Sequence, residues 1–325
     1  PLKRFLLVLG FLCITAALTI GGAAVYVYVQ YTSPSKLVQG SDIIIPQGAG
    51  VRGIAEIFQR EQIVEEPLIF LAGVRVAGLD RSLRAGEYHF PARVSPRQAA
   101  EILASGETVW RFVTIPEGLR SGEIIDRINL VDGLTGDITD IPKDGTLLPE
   151  TYQFSYGDTK QSIIDRMRAA HDALVDELWP GRDSELPFDT INEAIVLASI
   201  VERETGVAAE RGRVAGVFVN RLNRNMRLQS DPTVAYAVSP KKRLDRALTR
   251  NDLRFESPYN TYVTAGLPPS PITNPGRDAI YAVLHPSETE DIYFVADGTG
   301  GHAFARTLDE HNRNVAKWRR LRDSQ

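Results

Sequence analysis

The chain has 325 residues, of which 43% are hydrophobic and 24% charged, and its formal net charge is −4. Those proportions belong to a folded protein, and without a basic tract they leave nucleic acid out as a partner. The single cysteine, Cys13, excludes a disulfide within the chain; its flank Gly10-Phe11-Leu12 lacks the small residues that precede a lipidated cysteine, so it reads as a small apolar residue.

The first element is an anchor. Phe5 to Val29 is 25 residues without a charge, longer than the ~20 a membrane-crossing helix needs and the ~7–15 of a cleaved signal's apolar core. Tyr26 and Tyr28 suit a membrane interface. Lys3 and Arg4 precede the run and Lys36 is the next charge, which predicts a cytoplasmic N-terminus and an extracytoplasmic chain beyond Ser33. Because the chain begins at Pro1 rather than Met, a residue upstream is expected to be missing. The remaining ~290 residues suffice for one large domain or two moderate ones.

From Asp42 to Glu107 the pattern reads strand, helix, helix, strand, helix. Ile43-Ile44-Ile45 is a short apolar strand ending at Pro46, and Val51, Ile54, Ala55 and Phe58 recur at helical spacing. Leu68 to Val76 is a second apolar helix with Gly73 as its weak point. Arg84 to Phe90 reads as turn and strand; Ser95-Pro96 caps a helix that Gly106 closes. Nothing in this compact α+β module looks catalytic, which leaves it a binding or spacing role.

Val113-Thr114-Ile115-Pro116 echoes Ile43-Ile44-Ile45-Pro46, and a helix follows each. Asp132 to Gly145 reads as a loop, and Gln161 to Leu178 as a long amphipathic helix with Ile164, Met167, His171, Leu174 and Leu178 on one face. Thr190 and Glu193 have capping-box spacing. The apolar run Ala194 to Val201 then ends directly in Glu202-Arg203-Glu204, and Gly206 fits a left-handed stop. A carboxylate beside apolar surface and near the negative end of a helix should have a raised pKa, as a general acid needs; a solvated glutamate at a frayed end is the plainer reading. Another helix runs from about Glu210 to Asn225.

The C-terminal third is dense in short rigid motifs: Arg227 to Thr233, Ser257 to Tyr262 and the proline-rich Gly266 to Ile272. Prolines and aromatics make a stiff wall, and tyrosine rings suit sugar faces. Ile292 to Ala296 reads as a buried strand, turning through Asp297 to Gly301 into His302 to Arg306 as a hairpin. Thr307 to Glu310 is another capping box, opening a final helix through Trp318.

Other chemistries fit poorly. Ser33-Pro34-Ser35-Lys36 matches S-x-x-K but lies at the membrane edge without a K-T-G partner. The histidines His89, His171, His285, His302 and His311 are scattered, with no zinc motif. There is no G-x-S-x-G elbow, and Gly298-Thr299-Gly300-Gly301 leads into a strand rather than a phosphate-binding helix. No metal or organic cofactor is implied.

Leu197 to Thr205, Leu228-Gln229-Ser230-Asp231-Pro232-Thr233, Tyr259-Asn260-Thr261-Tyr262, Gly266-Leu267-Pro268-Pro269 and Val295 to His302 resemble, in this order, the signatures of the endolytic murein transglycosylases, the MltG or YceG-like family; Leu148-Pro149-Glu150-Thr151-Tyr152 also fits. The resemblance implies an α+β protein with three parts: a transmembrane anchor and flank (1–33), a small LysM-like α+β subdomain (40–108) and a larger α+β catalytic domain (109–325). It implies a single-pass protein of the cytoplasmic (inner) membrane with an extracytoplasmic catalytic domain. There it would cut the β-1,4 bond between N-acetylmuramic acid and N-acetylglucosamine within peptidoglycan strands, leave 1,6-anhydro ends, act as terminase of nascent strands and work beside peptidoglycan synthases.

A lytic enzyme can work with one carboxylic acid, because the sugar's own 6-hydroxyl replaces water. The family motif and the end of the apolar run point to Glu202, with Glu204 as competitor or as an arginine's ion-pair partner. Tyr262 and Tyr259 are candidates to steady the oxocarbenium-like sugar or hold the N-acetyl group. Asn260, Gln229, Ser230 and Asp231 are candidate substrate hydrogen-bonders or plain turn residues. His302 is a groove-lining or structural residue. A water-using muramidase and a non-catalytic wall-binding scaffold remain the rival readings.

Overall fold

The structure is a computed structural model and describes residues 2–323. Its elements run α1 (Leu2–Thr32), β1 (Ser41–Ile45), α2 (Val51–Arg60), α3 (Pro67–Val76), β2 (Gly86–Phe90), α4 (Pro96–Ser105), β3 (Arg111–Thr114), α5 (Ser121–Asn129), β4 (Thr151–Phe154), α6 (Lys160–Leu178), α7 (Ile191–Glu204), α8 (Arg211–Asn223), α9 (Asp231–Val238), α10 (Arg277–Leu284), β5 (Tyr293–Ala296), β6 (His302–Ala305) and α11 (Leu308–Arg322). The mixture is the α+β protein the sequence predicts. The chain divides into two compact units. The first runs through Arg111 and takes in Gln153–Asp158; the second comprises Phe112–Tyr152 and the chain from Thr159 on.

In the first unit, α1 is long and apolar enough to cross a membrane. Its C-terminal end is also part of a folded core, because Tyr31 is buried with residues of α2, α3, α4 and both strands. That contact explains Gly73 in the middle of α3, since a Cβ there would lie 2.3 Å from the Tyr31 ring. The helix propensity lost at Gly73 is therefore the condition for close packing of α1 on α3. β1 and β2 pair antiparallel with Ile43 opposite Tyr88, and Phe58 sits edge-on to both Phe70 and Phe90. Ser95 accepts from Gln98 N in a complete capping box, and Gly106 closes α4 in the left-handed conformation.

The second unit is built on α7, α8 and α10, which pack on one another. Ala194 to Val201 are buried without interruption, so α7 is apolar on every side and runs through the core. Thr190 Oγ1 accepts from Glu193 N at 3.3 Å while Glu193 Oε2 accepts from Thr190 N at 3.0 Å, the reciprocal cap the spacing predicts. On α6, Ile164, Met167, His171, Leu174 and Leu178 are buried as one face.

The end of α7 differs from expectation. Gly206 is not left-handed; the helix stops because Thr205, buried and β-branched, turns extended (φ −138°, ψ 131°), and its hydroxyl accepts from Val207 N at 3.0 Å. The short helices α9 and α10 were not anticipated: Pro232 in the first turn opens α9, and Gly276 precedes α10. Strands β5 and β6 form the expected antiparallel hairpin, Ala296 opposite His302, although β5 is half-buried rather than buried.

Candidate active site

All the residues of the site belong to the second unit. Successive residues of an α-helix are turned ~100° apart, so Glu202 and Glu204 leave α7 on nearly opposite sides. The structure surrounds each with different neighbours.

Glu202 accepts from Gly276 N through Oε2 at 3.0 Å. Burial and the nearby Glu117 carboxylate push its pKa up to about 7, against the pull of that hydrogen bond and of Arg211 and Arg203. Glu117 lies so close to Gly276 that a Cβ there would overlap its Oε1. Arg211 ties this cluster together, donating to Asp278 at 3.0 Å and reaching Glu117 at 4.0 Å. None of the expected substrate-binding residues is among these neighbours.

Glu204 has a different company. Ser230 Oγ, itself buried, donates to Glu204 Oε1 at 2.5 Å. Glu204 keeps some exposed surface, yet burial dominates and pushes its pKa up to about 7; Asp231 adds to the rise, while the Ser230 bond, His302 and Arg221 oppose it. Tyr262 Oη donates to Asp231 Oδ1 at 2.7 Å, and burial raises the Tyr262 pKa, with Asp231 and Glu204 contributing. Tyr262 therefore belongs to the surroundings of Glu204. The reason is local: Thr261 Oγ1 accepts from Ser230 N at 3.0 Å and Gln229 N donates to Thr261 O at 3.1 Å, which stitches the 229–231 turn to the 260–262 loop.

The remaining expected residues separate by role. Gln229 is exposed at a φ of 50°, a left-handed conformation unfavourable for a residue with a side chain, held beside the site. Asn260 is fully buried: Nδ2 donates to Phe255 O at 2.8 Å and Leu253 O at 3.2 Å, while Oδ1 accepts from Tyr262 N at 3.0 Å. It shapes the loop that carries Tyr262 and has no amide group left for a ligand. Tyr259 lies apart from this cluster, its ring against Tyr236 at 4.9 Å and its hydroxyl 2.6 Å from Ser270 Oγ. His302 is held by Glu210, which accepts from His302 N at 2.9 Å and lies 2.8 Å from Nδ1.

Two participants were missed from the sequence. Glu210 lies in an unremarkable stretch before α8. Arg221 is buried beneath the site, donating to Ile292 O at 2.7 Å and Leu228 O at 2.6 Å. An arginine inside an otherwise apolar helix face was the available signal for it.

Chemically, a glutamic acid whose pKa is pushed up to about 7, bonded by a hydroxyl and flanked by a tyrosine–aspartate pair, can serve as a general acid. The chain belongs to the YceG-like family, which matches residues 43–317. It is 32% identical over 85% of its length to the endolytic murein transglycosylase of Bacillus subtilis, covering 84% of that protein. It is 30% identical to that of Streptococcus pneumoniae over 95% of its own length, spanning 64% of the relative. A 2.6 Å crystal structure of a YceG-like protein from Listeria monocytogenes superposes with a TM-score of 0.52 at 30% identity, covering 85% of this chain and 99% of that one.

Proposed function

We propose that the protein is a lytic transglycosylase of peptidoglycan, cutting the bond between N-acetylmuramic acid C1 and N-acetylglucosamine O4 with Glu204 as its acid. Glu204 gives its proton to the bridging oxygen as the C1–O4 bond breaks. The oxocarbenium-like muramyl ring then closes on itself. The Glu204 carboxylate takes the proton of the 6-hydroxyl, O6 bonds to C1, and a 1,6-anhydro end results. Tyr262, oriented by Asp231, lines the acid's side of the sugar, and Gln229 is placed to bind it.

The observation that carries this reading is the set of neighbours around Glu204: a raised pKa, the Ser230 hydroxyl, and the Tyr262–Asp231 pair linked to them through Thr261. It favours Glu204 over Glu202, to which the sequence points. A water-using muramidase would add a second carboxylate, for which Asp231, bonded through Oδ1 to Tyr262, is the neighbour of Glu204; the product end separates the two routes. A wall-binding scaffold has no use for a carboxyl whose pKa is pushed up to about 7.

The Lys3–Arg4 flank and the apolar α1 support a cytoplasmic N-terminus and an extracytoplasmic catalytic unit. An anchored strand-cutter working beside synthases would act as terminase of nascent strands, and the β1–α2–α3–β2–α4 module (40–108) is read as LysM-like and glycan-binding. Mass analysis of products from purified glycan strands tests the reaction: anhydro-muramyl ends support it, and reducing muramic ends would replace it with hydrolysis.

A further inference from the structure

A cleft of about 720 Å³ in the second unit is lined by residues at the start of α5, the start of α9 and the last turns of α11. Its walls carry Arg120, Arg203, Arg243, Arg246 and Arg322 against only two carboxylates, Glu123 and Asp231, in a chain whose net charge is −4. Both carboxylates are occupied: Glu123 accepts from Arg120 N at 2.9 Å and Asp231 from Tyr262 at 2.7 Å. Three of the arginines are also committed. Arg246 is held by Asp252 at 2.6 Å, Arg322 pairs with Asp323 at 2.7 Å, and Arg120 donates to the carbonyls of Lys242, at 2.9 Å, and Ser239. Arg203 and Arg243 are exposed and form no ion pair with a carboxylate among the described residues.

Unpaired guanidinium groups on a concave wall are receptors for carboxylates, which they bind in a bidentate fork. Asp231 belongs both to this cleft and to the surroundings of Glu204, so the cleft opens beside the proposed acid. We propose that the cleft binds the carboxylates of the peptide branches borne by the glycan strand, through Arg203 and Arg243, and so selects peptide-bearing strands over bare glycan. This inference rests on the transglycosylase reading above.

The test compares kcat/KM on lipid-free glycan strands with intact peptides and on the same strands stripped by an amidase, using the full chain. Wild type should favour the peptide-bearing strands by about tenfold, since a charge-assisted hydrogen bond contributes ~1.5–3 kcal/mol and ~1.4 kcal/mol is tenfold. Arg203→Ala with Arg243→Ala should erase that preference through KM, with the rate on stripped strands and the melting temperature unchanged. Arg203→Lys with Arg243→Lys should restore part of it. Equal rates of wild type on both strands, or an equal loss on both in the alanine variant, would overturn the proposal. Absence of anhydro product from either strand in wild type would instead overturn the underlying reading, and the proposal with it.

Discussion

The Ser230 hydroxyl donates to the Glu204 carboxyl at 2.5 Å, joining the turn after α8 to the end of α7. That bond stabilises the charged form of a carboxyl that burial and Asp231 push towards neutrality, and so helps set where its pKa lies.

Removing the donor should raise the pKa of Glu204 further. As the proposed acid, Glu204 must be protonated to act first, so kcat/KM should fall as pH rises through about 7. In Ser230→Ala the alkaline limb of the profile should move up by about one pH unit, the size expected for one hydrogen bond to a charged group. A pH–rate series on purified strands checks this, and an unmoved limb would detach Ser230 from the titrating group.

Stability should depend on the same carboxyls. Glu202 and Glu204 both have a folded-state pKa of about 7 against an ordinary 4.5. Between those values the folded chain holds more protons than the unfolded one, so their contribution is fully present below about pH 4.5 and is lost as pH rises through 7. Melting temperature should fall between pH 5.5 and pH 8, and less in Glu202→Gln or Glu204→Gln than in wild type. Parallel thermal melts of the three proteins decide the point.

Tyr262→Phe keeps the ring and loses only the bond to Asp231. Its kcat/KM should drop about tenfold, the scale of one charge-assisted hydrogen bond, with the melting temperature changed by no more than a few degrees. Steady-state kinetics on strands beside a thermal melt separates this from a folding defect.

Asn274 is the structural counterpart. Fully buried, its Oδ1 accepts from Gly145 N at 2.9 Å and Leu147 N at 3.1 Å, and its Nδ2 donates to Leu119 O and Ser121 Oγ, each at 3.1 Å. Asn274→Ala leaves these groups unsatisfied and should cost about 3–4 kcal/mol. Urea unfolding measures it.

Much of this was legible in the sequence wherever the signal is local. The caps at Thr190, Ser95 and Thr307, the buried face of α6 and the β5–β6 hairpin all follow from spacing over a few residues. The choice between Glu202 and Glu204 was not legible. Because Ala194 to Val201 are buried all round, the helix has no polar stripe to indicate which side meets the cleft, and directness after the apolar run points to Glu202 rather than to the proposed Glu204. Only the tertiary pairing of the 229–231 turn with the 260–262 loop places Tyr262 with Glu204. The helices α9 and α10 escaped notice because two turns of helix give too short a period to read, and the buried role of Asn260 because its partners are backbone carbonyls.

The most direct measurement is the amount of anhydro-muramyl product, by mass spectrometry, from purified glycan strands treated with wild type, Glu204→Gln and Glu202→Gln. A general acid contributes about 10²–10⁴-fold, so Glu204→Gln should lose product by at least that factor while melting normally, and Glu202→Gln should remain within a few-fold of wild type. An active Glu204→Gln beside an inactive, folded Glu202→Gln would contradict the assignment and return the acid to Glu202.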